Sequence, residues 1–87
     1  MTSLSVVIPL HNYARWIGAA IQSAKDQTRK PLEIIVVDDA STDKPVLPRG
    51  VKAIRLKQNV GVAEARNLGI SKAKGDIILC LDADDIL

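Results

Sequence analysis

Ile77-Ile78-Leu79-Cys80-Leu81-Asp82-Ala83-Asp84-Asp85 sets five apolar residues in a row against three acids in the next four positions. A continuous apolar run of this length suits a strand buried on both faces. The acids then fall at its C-terminal end, which is where open α/β sheets bind their ligands. Carboxylates crowded there repel one another unless a cation, a donor group or water screens them. Taken alone the segment also reads as an acidic turn after a strand, because Asp is a common turn residue.

The same pattern occurs earlier. Leu32-Glu33-Ile34-Ile35-Val36-Val37 is a β-branched run that ends in Asp38 and Asp39, followed by Ala40-Ser41-Thr42-Asp43. Leu4 to Pro9 reads as a third such strand, central and ended by Pro9, which cannot donate to a ladder. Val51 to Leu56 alternates weakly, and Lys52, Arg55 and Lys57 suit an exposed edge. Two helices fall between the strands. Ile17, Ala20, Ile21 and Ala24 recur at helical spacing over Ala14 to Lys25, with Asn12 as candidate N-cap. Val62, Ala65, Gly69 and Ala73, helped by Leu68 and Ile70, make a narrow stripe over Val62 to Lys74, with Gly75 as candidate C-cap. Residues 44–50 hold two prolines and a glycine and read as an irregular connection.

Strand, helix, strand, loop, strand, helix, strand implies a parallel α/β sheet with right-handed crossovers. With the first and last strands side by side in the middle, Pro9–His11, Asp38–Asp39 and Asp82–Asp85 converge on one edge of the sheet, at the switch point where nucleotides bind.

Eighty-seven residues make one small domain. The chain is 47% hydrophobic but only 2% aromatic, so its core must be aliphatic and Trp16 is expected to pack. A net charge of +2 with no basic stripe argues against a nucleic-acid footprint, and the lack of aromatics against a base-stacking platform. A single cysteine excludes an internal disulfide and a cysteine-based metal site; Cys80 reads as a small buried hydrophobe. The first ten residues lack the basic and long apolar regions of a secretory leader, and no segment reaches membrane-spanning length. The expected location is therefore cytoplasmic, at the inner face of the membrane in a longer protein.

Four segments together resemble family 2 glycosyltransferases. Val7-Ile8-Pro9-Leu10-His11-Asn12 is similar to their opening strand, and Val36-Val37-Asp38-Asp39-Ala40-Ser41-Thr42-Asp43 to their second-strand signature. Asn59-Val60-Gly61-Val62-Ala63-Glu64-Ala65-Arg66-Asn67-Leu68-Gly69-Ile70 resembles their loop and second helix. Leu81-Asp82-Ala83-Asp84-Asp85 looks like their Asp-x-Asp motif. The resemblance implies the Rossmann-like half of the GT-A fold: an α/β, three-layer, mostly parallel four-stranded sheet of order 3-2-1-4. It also implies transfer of a sugar from a nucleotide donor, usually UDP, with inversion, and cell-envelope polysaccharide among the expected products. Residue by residue, Pro9 and His11 would border the nucleobase, although the family more often has Tyr at the His11 position. Asp39 would accept from the base, Gly61 would lie close to the donor, Asp82 would contact the ribose or sugar, and Asp84 would ligate Mn²⁺ or Mg²⁺. Arg66 and Asn67 sit in the family's helix, or are ordinary helix surface with Arg66 paired to Glu64.

Those roles agree with the chemistry of the residues. A diphosphate leaving group concentrates negative charge that a hard cation can neutralise. Such cations favour oxygen ligands and bind through one or two carboxylates plus phosphate. Alternate residues of an extended segment point the same way, which suits Asp82 and Asp84. An ionised aspartate is acceptor-only, as a base imide N–H requires. Asp38 reads instead as a turn residue that accepts from backbone donors.

Two departures from the family pattern shape further expectations. The connection after Asp43 is short and proline-rich, so the sheet near the second and third strands should be poorly covered on one face. Family members also continue past the Asp-x-Asp into an acceptor-binding half with the catalytic base, which has no counterpart up to Leu87. The chain is thus expected to be a single donor-binding domain over residues 1–87, with little transfer activity alone and with a bare sheet edge open to a homodimer. The alternative is a non-catalytic nucleotide- or metal-binding domain of the same fold. A nucleotidyltransferase or dinucleotide-binding domain is disfavoured, because Leu10-His11-Asn12-Tyr13 has no glycine-rich phosphate loop.

Overall fold

The structure, a computed structural model, describes residues 2–27 and 30–82. Its elements run β1 (Leu4–Leu10), α1 (Ala14–Lys25), β2 (Glu33–Asp39), β3 (Lys52–Leu56), α2 (Val62–Lys72) and β4 (Ile77–Cys80). They form one four-stranded sheet of order β3-β2-β1-β4, and every neighbouring pair is parallel.

The two central strands are buried along their whole length. Alternation then divides their side chains between two cores. Val6, Ile8, Leu10, Ile34 and Val36 face Ile17, Ala20, Ile21 and Ala24 of α1. On the other side Ile35 and Val37 meet Ala65 of α2, with Leu68 and Ala73 partly buried beside them. The result is a helix–sheet–helix sandwich whose hydrophobic cores are wholly aliphatic. Each fully buried isoleucine, such as Ile8, Ile21 or Ile35, contributes about 2 kcal/mol relative to exposure. Gly69 sets how closely α2 lies on the sheet: a β-carbon there would come within 2.4 Å of Val7 Cγ1 and 3.1 Å of Val37 Cγ2. Residues 44–50 are irregular, as expected, yet β2 is not left bare, because Leu47 and Val51 pack partly onto the α1-side core.

Several sequence expectations need correction. Pro9 lies inside β1 and does not end it. Its ring is tolerated because Val7 C=O accepts from Leu81 N–H, which puts Val7 and Pro9 on the β4 side, and β4 pairs no further than Val7. Asn12 does not cap α1: Tyr13 holds the cap position without a side-chain bond, and Ala14 N–H donates to Asp43 Oδ2 at 2.8 Å. Helix α2 stops at Lys72 with Ala73 as its extended C-cap. Gly75 serves close packing instead; its N–H donates to Ser5 Oγ, and a β-carbon would stand 2.7 Å from the Ser5 backbone nitrogen. Val62 is exposed and leaves the packing stripe to Ala65 and Gly69.

Trp16 is 48% exposed, with the Arg15 guanidinium 5.2 Å from its ring centroid. Strand β4 is largely exposed, Cys80 included, because it pairs only with β1 and is the outer strand of the described sheet. No helix among the described residues is long and apolar enough to cross a membrane.

The N-terminal end of the sheet carries one buried ionic cluster. Glu33 accepts from Ser5 Oγ at 2.6 Å, Lys74 N–H at 2.6 Å and Lys52 Nζ at 2.7 Å. Burial works to raise its carboxyl; the Lys52 ammonium and the Lys74 and Ser5 donors outweigh that and hold it at about 2.

Candidate nucleotide site

The C-terminal ends of β1 and β2 open onto a cavity of about 500 Å³. It is lined by Pro9, Leu10, His11, Tyr13, Asp39, Asn59, Gly61, Val62, Ala65, Arg66 and Asp82. Pro9, His11, Asp39, Gly61 and Asp82, singled out from the sequence, all lie on its wall. Asp84 falls outside the described residues.

Parallel pairing explains the convergence. β1 and β2 run in register from Ser5 and Glu33 to Leu10 and Asp38, so the loops after both strands leave the sheet at one level. Asp38 and Asp39 then take different work, since successive side chains point to opposite faces. Asp38 holds the turn: it accepts from Ser41 N–H at 3.0 Å and from Arg55 Nη1 at 3.1 Å. Arg55 also donates to the Pro45 carbonyl and so ties down the irregular connection.

Asp39 is 2% exposed. Its Oδ1 accepts from Val60 N–H at 2.7 Å and its Oδ2 from Gly61 N–H at 2.9 Å. The carboxylate thereby fixes the loop that starts α2 and adds negative charge at that helix's N-terminus. Each oxygen keeps a further lone pair for a ligand. Gly61 has φ +93°, a conformation open to glycine at little cost, and it lets the loop present both amides to one carboxylate.

His11 is tied to the same strand end. Its Nδ1 lies 2.6 Å from the Asp39 carbonyl oxygen, and Asn59 Nδ2 lies 3.2 and 3.3 Å from its two ring nitrogens. On the far wall, Arg66 Nη2 stands 3.8 Å from Asp82 Oδ1, with both side chains partly open to solvent. Arg66 does not pair with Glu64, because residues two apart on a helix do not share a face. Asn67 is exposed and does not line the cavity.

Sequence reasoning gave no site role to Leu10, Tyr13, Asn59, Val62 and Ala65. Asn59 could have been found from its place two residues before the loop glycine. Tyr13 offered a weaker signal as one of only two aromatics, placed in the first strand–helix turn. Val62 and Ala65 read as packing, and only the approach of α2 to the sheet puts them on the wall.

Among the described residues no group of three His, Cys, Asp or Glu side chains could hold a metal ion. The wall does offer hard oxygen donors: the Asp82 carboxylate is 61% exposed at the cavity, and among the described residues its ion-pair partner is Arg66, at long range. One carboxylate of this kind suits a divalent cation whose other ligands are phosphate oxygens and water.

The cavity lies at the C-terminal edge of a parallel sheet, walled by carboxylates and a loop glycine, the place where α/β domains of this class bind their ligands. The sequence model of glycosyl transferase family 2 matches residues 5–87, and the chain belongs to that family. It is 44% identical to an uncharacterised glycosyltransferase of Rickettsia felis, a match over 98% of this chain and 15% of that protein. Among solved structures, S. aureus TarS 1–349 in complex with UDP is 27% identical with a TM-score of 0.81; the match covers 97% of this chain and 28% of that one. The mannosyltransferase PcManGT of Pyrobaculum calidifontis, in complex with GDP-Man and Mn²⁺, is also 27% identical, with a TM-score of 0.84 over 98% of this chain and 28% of that one. The chain therefore spans a minor part of the proteins it matches.

Proposed function

We propose that this chain forms the donor site of a glycosyltransferase that transfers a sugar from a nucleotide diphosphate, UDP by preference, with inversion. One observation carries the reading: five residues from four separate segments, assigned to the donor from sequence, line a single cavity. Asp39 offers acceptor oxygens to the base, Pro9 and His11 border it, and Asp82 stands on the opposite wall, facing the sugar or ribose. In the transfer, an acceptor hydroxyl oxygen bonds to the anomeric carbon as the carbon–oxygen bond to the diphosphate breaks; the diphosphate leaves with the electron pair, and the hydroxyl proton passes to a general base that has no counterpart among the residues up to Leu87. Asp84, two residues after Asp82, is the proposed ligand of Mn²⁺ or Mg²⁺, which when bound would neutralise the departing diphosphate.

Calorimetric titration of UDP and GDP into the chain, with and without Mn²⁺, tests this. UDP is expected to bind in about the micromolar to millimolar range, about tenfold tighter with Mn²⁺. Asp84→Ala is expected to remove the Mn²⁺ effect and leave metal-free binding in place. No heat from either nucleotide under any condition would refute the donor-site reading.

We also propose that the β4 edge pairs with a second copy of the chain. Among the described residues Ile77 and Ile78 are exposed there, and β4 has β1 as its one neighbour, which leaves its outer edge open to a further strand. Sedimentation should show a dimer that grows with concentration; a monomer across a wide concentration range would overturn it.

A further inference from the structure

His11 is the only histidine of the chain, and both of its ring nitrogens face groups of fixed polarity. Nδ1 lies 2.6 Å from the Asp39 carbonyl, which can only accept, so Nδ1 carries the proton. Nε2 lies 3.3 Å from Asn12 Nδ2. The orientation of that amide is not free. Asn12 Oδ1 accepts from Thr42 N–H at 2.7 Å and from Thr42 Oγ1 at 3.2 Å, so the NH₂ end must face the ring. Nε2 is thereby required to be the acceptor.

The backbone is shaped for this contact. Asn12 sits at φ +57°, which Asn tolerates better than most residues, and its N–H donates to Ser41 Oγ at 2.9 Å. Ala40, at φ +55°, turns the β2 loop so that Ser41 and Thr42 reach back to Asn12. Asn59 Nδ2 also approaches the ring, and among the described residues no second bond orients its amide. The Asp39 carbonyl at Nδ1 and the oriented Asn12 amide at Nε2 therefore select the same tautomer.

We propose that Asn12 is a positioning residue of the nucleotide site. Held by Thr42, it locks His11 as the Nδ1–H tautomer bonded to the Asp39 carbonyl, so the ring meets the ligand through its face and carbon edge and not through its nitrogens. This rests on the donor-site reading for its effect on nucleotide binding; the tautomer itself does not depend on it. A ring with both nitrogens committed strengthens binding of any planar base but does not distinguish one base from another. That leaves the discrimination to Asp39.

Long-range ¹⁵N–¹H correlation spectra of the ring test the proposal, recorded above the ordinary imidazole titration range. With one histidine the signals need no assignment. The wild type is expected to show a protonated Nδ1 and a bare Nε2, the reverse of the preference of a free histidine side chain. Asn12→Asp keeps the acceptor for Thr42 and the tolerance of positive φ, but turns the donor facing Nε2 into an acceptor. It is expected to place a proton on Nε2 and to weaken UDP binding by about tenfold at an unchanged melting temperature. Asn12→Gly keeps the backbone and removes the amide; the Asp39 carbonyl should still hold the proton on Nδ1, and a loss of UDP affinity in this variant decides the positioning role if the aspartate variant does not fold. A wild-type ring protonated on Nε2 overturns the proposal, as does a bare Nε2 in Asn12→Asp. A proton shift without loss of UDP affinity overturns the positioning role. If the wild type binds no UDP, the donor-site reading fails while the spectra still decide the tautomer.

Discussion

Replacing Asp39 with alanine is expected to weaken UDP binding by about 100-fold, corresponding to about 3 kcal/mol. Two losses combine. The ligand loses a buried, acceptor-only partner on the cavity wall. Val60 N–H and Gly61 N–H also lose the carboxylate that holds their loop at the N-terminus of α2. Asp39→Asn separates the two, because its single oxygen can serve one of the amides while its NH₂ end repels the other. It should keep most of the fold and still lose about tenfold in affinity. Calorimetry with UDP gives the affinities, and thermal melts of the same samples give the cost to the fold. An Asp39→Ala protein that binds UDP as tightly as the wild type would remove Asp39 from the donor site and leave it as a loop anchor.

The largest effect on stability is expected at the other end of the sheet. Glu33→Ala leaves Lys74 N–H and Ser5 Oγ without their acceptor and should destabilise the chain by about 2–4 kcal/mol. For a domain of this size that is a large share of the total. The same carboxylate makes stability pH-dependent. Its value falls from the ordinary 4.5 when unfolded to about 2 in the fold, so the folded state favours the ionised form. The stabilisation is complete above about 4.5 and is lost as the pH falls towards about 2, up to about 3 kcal/mol in all. Glu33→Gln should abolish that dependence while keeping a similar side-chain volume. Urea titrations between neutral pH and about pH 2 read both effects. Identical acid profiles for wild type and Glu33→Gln would show that the cluster does not carry the acid response.

The element pattern was legible because local rules and global fold agree. β-branched runs ended by acids read as strands, and the α1 face of Ile17, Ala20, Ile21 and Ala24 is buried as its spacing implies. The site was legible because parallel strands deliver their C-terminal loops to one edge, so the residues after β1 and β2 had to meet. The errors share a cause. Asn12, Gly75, Trp16 and Cys80 were read by the ordinary habit of their residue types, as a cap, a cap and two packed side chains. Three of the four depend on partners far along the chain, while Trp16 is exposed beside its neighbour Arg15. Asn12 is claimed by Thr42 and His11, Gly75 by Ser5, and Cys80 is exposed because β4 has one neighbour in the described sheet.

Sequence alone determined the strands and helices, the parallel sheet, the aliphatic core and the family, because each is written in the spacing of apolar residues and in short motifs. Only the tertiary structure decided how the polar groups are shared: Asp39 between two loop amides, Glu33 among three donors, and His11 between the Asp39 carbonyl and the Asn12 amide. Burial is largely set by periodicity within one element. A hydrogen bond needs two atoms within about 3 Å and at the right angle, and in this chain those atoms come from segments that meet only once the sheet has formed.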